Sequence, residues 1–215
     1  MTLISAYSKL YESYGPQGWW PGHGRFEMIV GAILTQNTAW SNVRKAIKNL
    51  KAGGCLSSPA KLHELETKKL ARLIRPAGYY NVKAKRLRNF TKFLADRYAG
   101  SLARLSKLKT ARLRQELLGV NGIGPETCDS ILLYAFRRPV FVVDAYTKRI
   151  FSRHGFFAED ADYESVQNLF MKALPPDEGI FNEYHALIVR LGKVCCRKKP
   201  VCEKCPLKGL QKACK

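Results

Sequence analysis

Apolar residues recur every three or four positions along nearly the whole chain, and that spacing is the strongest constraint on its fold. "FEMIVGAILTQ" and "SNVRKAIKNL" show it early, "KAKRLRNFTKFLADRY" in the middle and "FNEYHALIVRLGKVC" near the end. "SPAKLHELETKKLARLI" opens on a Ser-Pro cap signal and reads as one further helix. "DYESVQNLFMKAL" starts from an acidic cap and stops at Pro175-Pro176. Short Gly/Pro breaks such as "GPQGWWPGHG", "KAGGCLSSP" and "RPAGYYN" separate these stretches. "PVFVVD" is β-branched, but it is brief and flanked by helices, so no strand is expected. The expected class is all-α, with about nine or ten helices.

The 215 residues suffice for one large domain or two small ones, and a hydrophobic content of 46% supplies a real core. No apolar run approaches the roughly 18 residues of a membrane span. The opening "MTLISAYSKLYESYG" lacks a basic segment followed by an apolar one, so no signal peptide is expected. These features predict a cytoplasmic protein, nucleoid-associated in a prokaryote, with no membrane partner.

Basic residues outnumber acidic ones 37 to 17, a formal charge of +20. Such a surplus speaks of partners and not of fold. It is also clustered: residues 83–115 hold Asp96 as their acid besides many Lys and Arg, and residues 193–215 hold Glu203. One basic face laid against a polyphosphate explains both clusters. The cysteines are clustered too. Five of the seven fall in the last 21 residues, at Cys195, Cys196, Cys202, Cys205 and Cys214. A disulfide framework spreads its cysteines along the chain; one short loop suits a metal or cluster. Cys55 and Cys128 stand apart and read as buried, inert thiols.

"LLGVNGIGPETCDSILLYAF" reads as helix, tight turn, helix. Gly122 and Gly124 permit positive φ there and leave no Cβ in the way, so backbone N–H groups can face one phosphate at the start of the second helix. Pro125 suits the first helical turn, and Glu126 is favoured by the helix dipole. About twenty residues further on, "FVVDAYTKRI" places Asp144 after an apolar stretch, at the start of another helix.

A helix-hairpin-helix with Gly-x-Gly, followed at this distance by Val-Asp, resembles the endonuclease III superfamily of DNA glycosylases. The likeness runs over nearly the whole chain: "GRFEMIVGAILTQNT" resembles an early helix and its Gln-bearing loop, "IRPAGYYNVKAKRL" the segment after it, "HALIVRLGK" the last long helix, and the terminal cysteines the iron–sulfur loop. The resemblance implies a bundle of about six helices over 26–136 that carries the hairpin. It implies a second, discontinuous helical domain, 1–25 with 137–215, and a cleft between the two that binds double-stranded DNA with a damaged base. A monomer is expected.

The resemblance also assigns roles. Asp144 would stabilise positive charge at the sugar C1′ as the glycosidic bond breaks, and would accept a proton from the attacking water. Members that cut the strand place a lysine two positions after the hairpin glycines. Here that position is Glu126, which cannot form an imine, so the resemblance implies a monofunctional glycosylase. Trp19 and Trp20, in "GWWPG", and Trp40 would form an aromatic slot for the flipped base, an arrangement similar to the 3-methyladenine branch. Cation–π stacking would favour a base methylated at a ring nitrogen by about 0.5–2 kcal/mol. Gln36 and Asn37 resemble residues that enter the duplex near the vacated position, Tyr79 the wedge on the opposite strand, and Lys83 a phosphate contact. The superfamily's cluster pattern is C-x6-C-x2-C-x5-C. Counted from Gly192 the first ligand is Cys196; counted back from Cys202 it is Cys195, and the final interval to Cys214 is x8. The favoured set is Cys196, Cys202, Cys205 and Cys214 around a [4Fe–4S] cluster, with four-cysteine zinc as the alternative. Rival functions are a mismatch glycosylase for adenine or for uracil and thymine, and a non-catalytic iron–sulfur protein that binds DNA.

Overall fold

The computed structural model describes residues 2–19 and 24–209, and every regular element in them is helical. No described helix is long and apolar enough to cross a membrane. The chain divides into two compact units, one of Gly22–Arg137 and one of Met1–Pro21 with Arg138–Lys215. The bundle expected over 26–136 lies inside the first.

The discontinuous unit begins with α1 (Leu3–Tyr14), where Thr2 and Ser5 bond each other's backbone in a capping box. The continuous unit then runs through α2 (Arg25–Thr35), α3 (Trp40–Ala52), α4 (Pro59–Glu64), α5 (Thr67–Leu73), a 3-10 turn (Arg75–Ala77), α6 (Tyr80–Tyr98), α7 (Leu102–Ser106), α8 (Thr110–Leu118) and α9 (Pro125–Ser130), which continues as a π-helical turn over Ile131–Ala135. The chain returns to the discontinuous unit with α10 (Ala145–Arg153), α11 (Tyr163–Ala173) and α12 (Glu178–Val194). Asp162 and Asp177 cap α11 and α12 through Ser165 N and Ile180 N, the first as the acidic start of "DYESVQNLFMKAL" predicts.

The twelve α-helices among the described residues exceed the nine or ten expected, partly because "SPAKLHELETKKLARLI" is two helices. Leu65 and Glu66 take extended ψ angles of 130° and 135° between α4 and α5. The break frees carbonyls at the end of α4, and Arg88 of α6 fills them, donating to His63 O at 3.1 Å and Leu65 O at 2.6 Å. A side chain distant in sequence decides this break.

The core of the continuous unit is the apolar face of α2, Ile29, Val30, Ile33 and Leu34, with Val43, Leu50, Leu87, Phe90 and Leu94, all fully or nearly fully buried. α8 and α9 are joined across the hairpin by a bidentate pair: Arg114 Nε and Nη2 meet the two Asp129 oxygens at 2.8 and 3.1 Å, with Asp129 wholly buried. Two fork-to-fork bonds satisfy a carboxylate that burial would otherwise penalise.

In the discontinuous unit, "PVFVVD" is the buried approach to α10, and it forms no strand. Its Phe141 stacks on Phe170 at 4.2 Å and meets Phe181 and Tyr184 edge-on. Phe151 adds edge contacts to Phe170 and Tyr184. Each such pair contributes about 0.5–1.5 kcal/mol beyond its buried area. Tyr184 OH closes the cluster by donating to Leu3 O at 2.8 Å, which fixes α1 against α12. Three cations of this unit lie over aromatic rings: Arg190 over Tyr14 at 4.7 Å, Arg149 over Tyr146 at 5.0 Å and Lys193 over Trp19 at 5.6 Å.

Candidate active site

Asp144 is the N-cap of α10. Its Oδ1 accepts hydrogen bonds from Thr147 N at 2.8 Å and Thr147 Oγ1 at 2.9 Å. Its Oδ2 lies 3.5 Å from His185 Nε2, which α12 carries in. Burial pushes this carboxyl up, but the His185 hydrogen bond and charge and the Thr147 bonds outweigh it, so the net position is below the ordinary value of 3.8. The group is a fixed, ionised carboxylate with one oxygen committed to the helix. Such a group stabilises a developing cation without reorganising. The sequence singles out Asp144 by its place but not His185, because a lone histidine on an apolar helix face carries no signal of its partner. Thr147, three residues after Asp144, is legible as its capping partner.

At the hairpin, Gly122 has φ +98°, and an added Cβ would lie 2.3 Å from Arg86 Cγ. Gly124 departs from expectation: its φ is −88°, ordinary for any residue, and a Cβ there meets nothing within 4 Å. Only the first glycine serves a left-handed turn. The second leaves open space at the start of α9. Glu126 lies in the first turn of α9.

Gln36 joins the hairpin to the end of α2. Its Nε2 donates to Gly122 O at 2.9 Å and Thr127 Oγ1 at 2.8 Å, and its Oε1 accepts from Arg86 Nη1. Gln36 therefore latches the turn, and entry into a duplex requires these three bonds to exchange. Its neighbour Asn37 is exposed and left-handed, with φ 52°. Tyr79 is also left-handed, φ 45°, and 71% exposed.

Lys83 corrects the expected phosphate contact. It is 1% exposed, and its ammonium donates to Leu34 O and Ala77 O, each at 2.8 Å. Burial, helped by Arg86, lowers its pKa to about 8. The spacing carried a warning: Lys83, Leu87, Phe90, Thr91 and Leu94 fall at i, i+4, i+7, i+8 and i+11, so Lys83 belongs to the buried stripe of α6.

Trp19 is half-buried in the discontinuous unit, and Trp40 begins α3 in the other, also half-buried. Trp20 and Cys214 lie outside the described residues. Cys195, Cys196, Cys202 and Cys205 line one small cavity with His154, Pro200 and Val201. Arg153 Nη1 approaches Cys196 Sγ at 3.4 Å, whereas Cys195 Sγ donates to Lys204 O at 3.2 Å. Cys55 and Cys128 are buried, and burial pushes the Cys128 thiol up to about 12, which leaves it unreactive.

The frame is all-helical, with open space at the second hairpin glycine in one unit and a capped carboxylate in the other. Residues 30–176 match the HhH-GPD superfamily of base excision DNA repair proteins, and the chain belongs to that family. It is 53% identical over 208 residues to a protein of Methanocaldococcus jannaschii whose name provisionally assigns it to DNA repair glycosylases, covering 96% of this chain and 94% of that one. Among solved structures, it is similar to an H. pylori 3-methyladenine DNA glycosylase bound to 1,N6-ethenoadenine, with TM-score 0.80 and 29% identity over 90% of this chain and 98% of that one. It shares the fold of endonuclease III in a non-covalent DNA complex, with TM-score 0.83 and 23% identity over 98% and 94% of the two chains.

Proposed function

We propose that this DNA glycosylase hydrolyses the N-glycosidic bond of alkylated purines such as 3-methyladenine in double-stranded DNA, leaving an abasic site and an uncut strand. The observation that carries the reading is Asp144: a half-buried carboxylate, held by Thr147 and kept ionised beside His185. Positive charge grows at C1′ as the bond breaks, and a fixed anion lowers that barrier. A purine methylated on the ring is already a good leaving group, so the site needs little else. Trp19, Trp20 and Trp40 would supply the π surface that prefers such a cationic base, and the similarity to the H. pylori enzyme supports this substrate class.

The absence of lyase chemistry rests on Glu126. A carboxylate occupies the position two after Gly124, and no lysine lies between Val120 and Tyr146. Water is then the nucleophile, and Asp144 would accept its proton.

The shared lining of one cavity by Cys195, Cys196, Cys202 and Cys205 supports a [4Fe–4S] cluster there. A four-iron cluster spreads its thiolates over its corners, as a lined cavity allows. Cys196 suits the first ligand, because the Arg153 guanidinium lies beside its sulfur, at 3.4 Å. Cys195 makes a bond to a carbonyl that needs the proton a ligand would lose. Cys202, Cys205 and Cys214 complete the set. When bound, the cluster gives the basic terminal loop a rigid core.

The deciding experiment exposes methylated, deaminated and oxidised duplex DNA to the protein and identifies the released bases by mass spectrometry, with borohydride added in parallel. Release of methylated purines without a trapped protein–DNA adduct is expected. Release of a different base class redirects the substrate reading, and an adduct ends the monofunctional one.

A further inference from the structure

The two loops that carry Asn37 and Tyr79 share one anchor. Leu34 lies at the end of α2, and Ala77 ends the 3-10 turn before α6. Carbonyls at such ends lack a helical partner. The Lys83 ammonium takes both, at 2.8 Å each, from the second turn of α6. Thr38 adds a second bond to Ala77 O, from its Oγ1 at 2.7 Å. Beyond these carbonyls the chain leaves helical geometry through Asn37 on one side and through Gly78 and Tyr79, φ 66° and 45°, on the other. Asn37 and Tyr79 are the exposed tips.

A buried cation is a poor means of stabilising a core, since burial penalises it and an apolar side chain of its shape would not be penalised. What an apolar residue cannot provide is a directional bond to two carbonyls at once. We infer that Lys83 is a positioning residue for base extrusion: its buried ammonium ties the Asn37 loop to the Tyr79 loop, so that both tips enter a duplex as one rigid piece. The inference rests on the reading of Asn37 and Tyr79 as the residues that enter the duplex. Extrusion separates a base from its stack and its partner, and a probe that flexes on its own footing loses the geometry needed to hold the gap open.

The test uses a duplex in which 2-aminopurine stands opposite a tetrahydrofuran abasic analogue. Its fluorescence rises when a wedge unstacks the estranged base, whichever lesion the enzyme excises. The natural protein should give a strong rise. Lys83→Met should bind this duplex with similar affinity, because the ammonium is not at the surface, yet give about one-fifth of the rise or less, as ångström-scale misplacement does at a reacting centre. Thr38→Val removes one of the two bonds to Ala77 O and should give a smaller loss in the same direction; it carries the test where Lys83→Met does not fold. A full rise with Lys83→Met, or with Thr38→Val in its place, overturns the proposal. Tyr79→Ala tests the footing separately: a full rise there removes Tyr79 from the wedge role, whatever Lys83 does.

Discussion

The two oxygens of Asp144 face different neighbours: Oδ1 is held by Thr147, and Oδ2 lies 3.5 Å from His185 Nε2. One oxygen fixes the carboxylate in place, and the other keeps its charge. The two duties can be separated by mutation.

Asp144→Asn keeps the capping oxygen, and asparagine caps helices as well as aspartate does. The fold and DNA affinity should therefore survive, while the single-turnover rate of base release falls by about 10²–10³ or more, the scale for losing one fixed electrostatic group. Circular dichroism, a binding isotherm and a base-release time course measure the three quantities. Turnover near the natural rate would remove Asp144 from the chemistry.

His185→Leu should act through pH. Burial alone raises the Asp144 carboxyl, and His185 is the largest of the influences that lower it. In the natural protein the folded value is depressed, so the ionised form and its stabilising contribution are present above the ordinary 3.8 and lost only as pH falls through the lower folded value. Without His185 the balance tips towards burial, and the acid limb of the rate profile moves to higher pH. A pH–rate series on both proteins reads the shift; coincident acid limbs would show that His185 does not set the charge.

The hairpin glycines should respond unequally. Gly122→Ala forces a side chain into φ +98° and against Arg86, so it should destabilise the continuous unit by about 1–3 kcal/mol. Gly124→Ala has an ordinary backbone and open space, so its stability should stay within about 0.5 kcal/mol while affinity for duplex DNA drops. Thermal denaturation with parallel DNA titrations distinguishes them. Equal destabilisation by both would contradict the geometry.

Purified under anaerobic conditions, the protein should be brown and contain iron, with broad absorption from thiolate–iron charge transfer. Cys196→Ser should lose more iron than Cys195→Ser. The reverse order reassigns the first ligand, and stoichiometric zinc replaces the cluster reading.

What the sequence could disclose depended on how local the cause was. The spacing of apolar residues in α2, α6 and α12, the caps at Asp144, Asp162 and Asp177, and the hairpin are set by residues within one or two turns, and they could be read. The break between α4 and α5 could not, because Arg88 of α6 supplies what the freed carbonyls need. The latch of Gln36 on Gly122 and Thr127 spans about ninety positions, and no pattern in either segment announces it. Lys83 is the intermediate case: the basic run around it drew attention to its charge, while the period of its own helix had already placed it inside.

The inward cations change what the charge of this molecule means. Lys83, Arg88 and Arg149 are bonded to carbonyls and Arg114 to a buried aspartate. They count towards the formal +20, yet their charge is already engaged within the protein. When a protein settles on DNA, each phosphate it neutralises sets a condensed counterion free, and log affinity falls against log salt with a slope of about −0.9 per contact. That slope counts ion pairs formed and takes no account of net charge. A chain whose cations are partly spent on its own carbonyls and a carboxylate releases fewer ions than its formal charge implies, so it can be strongly basic in composition and still let go of undamaged DNA at moderate salt.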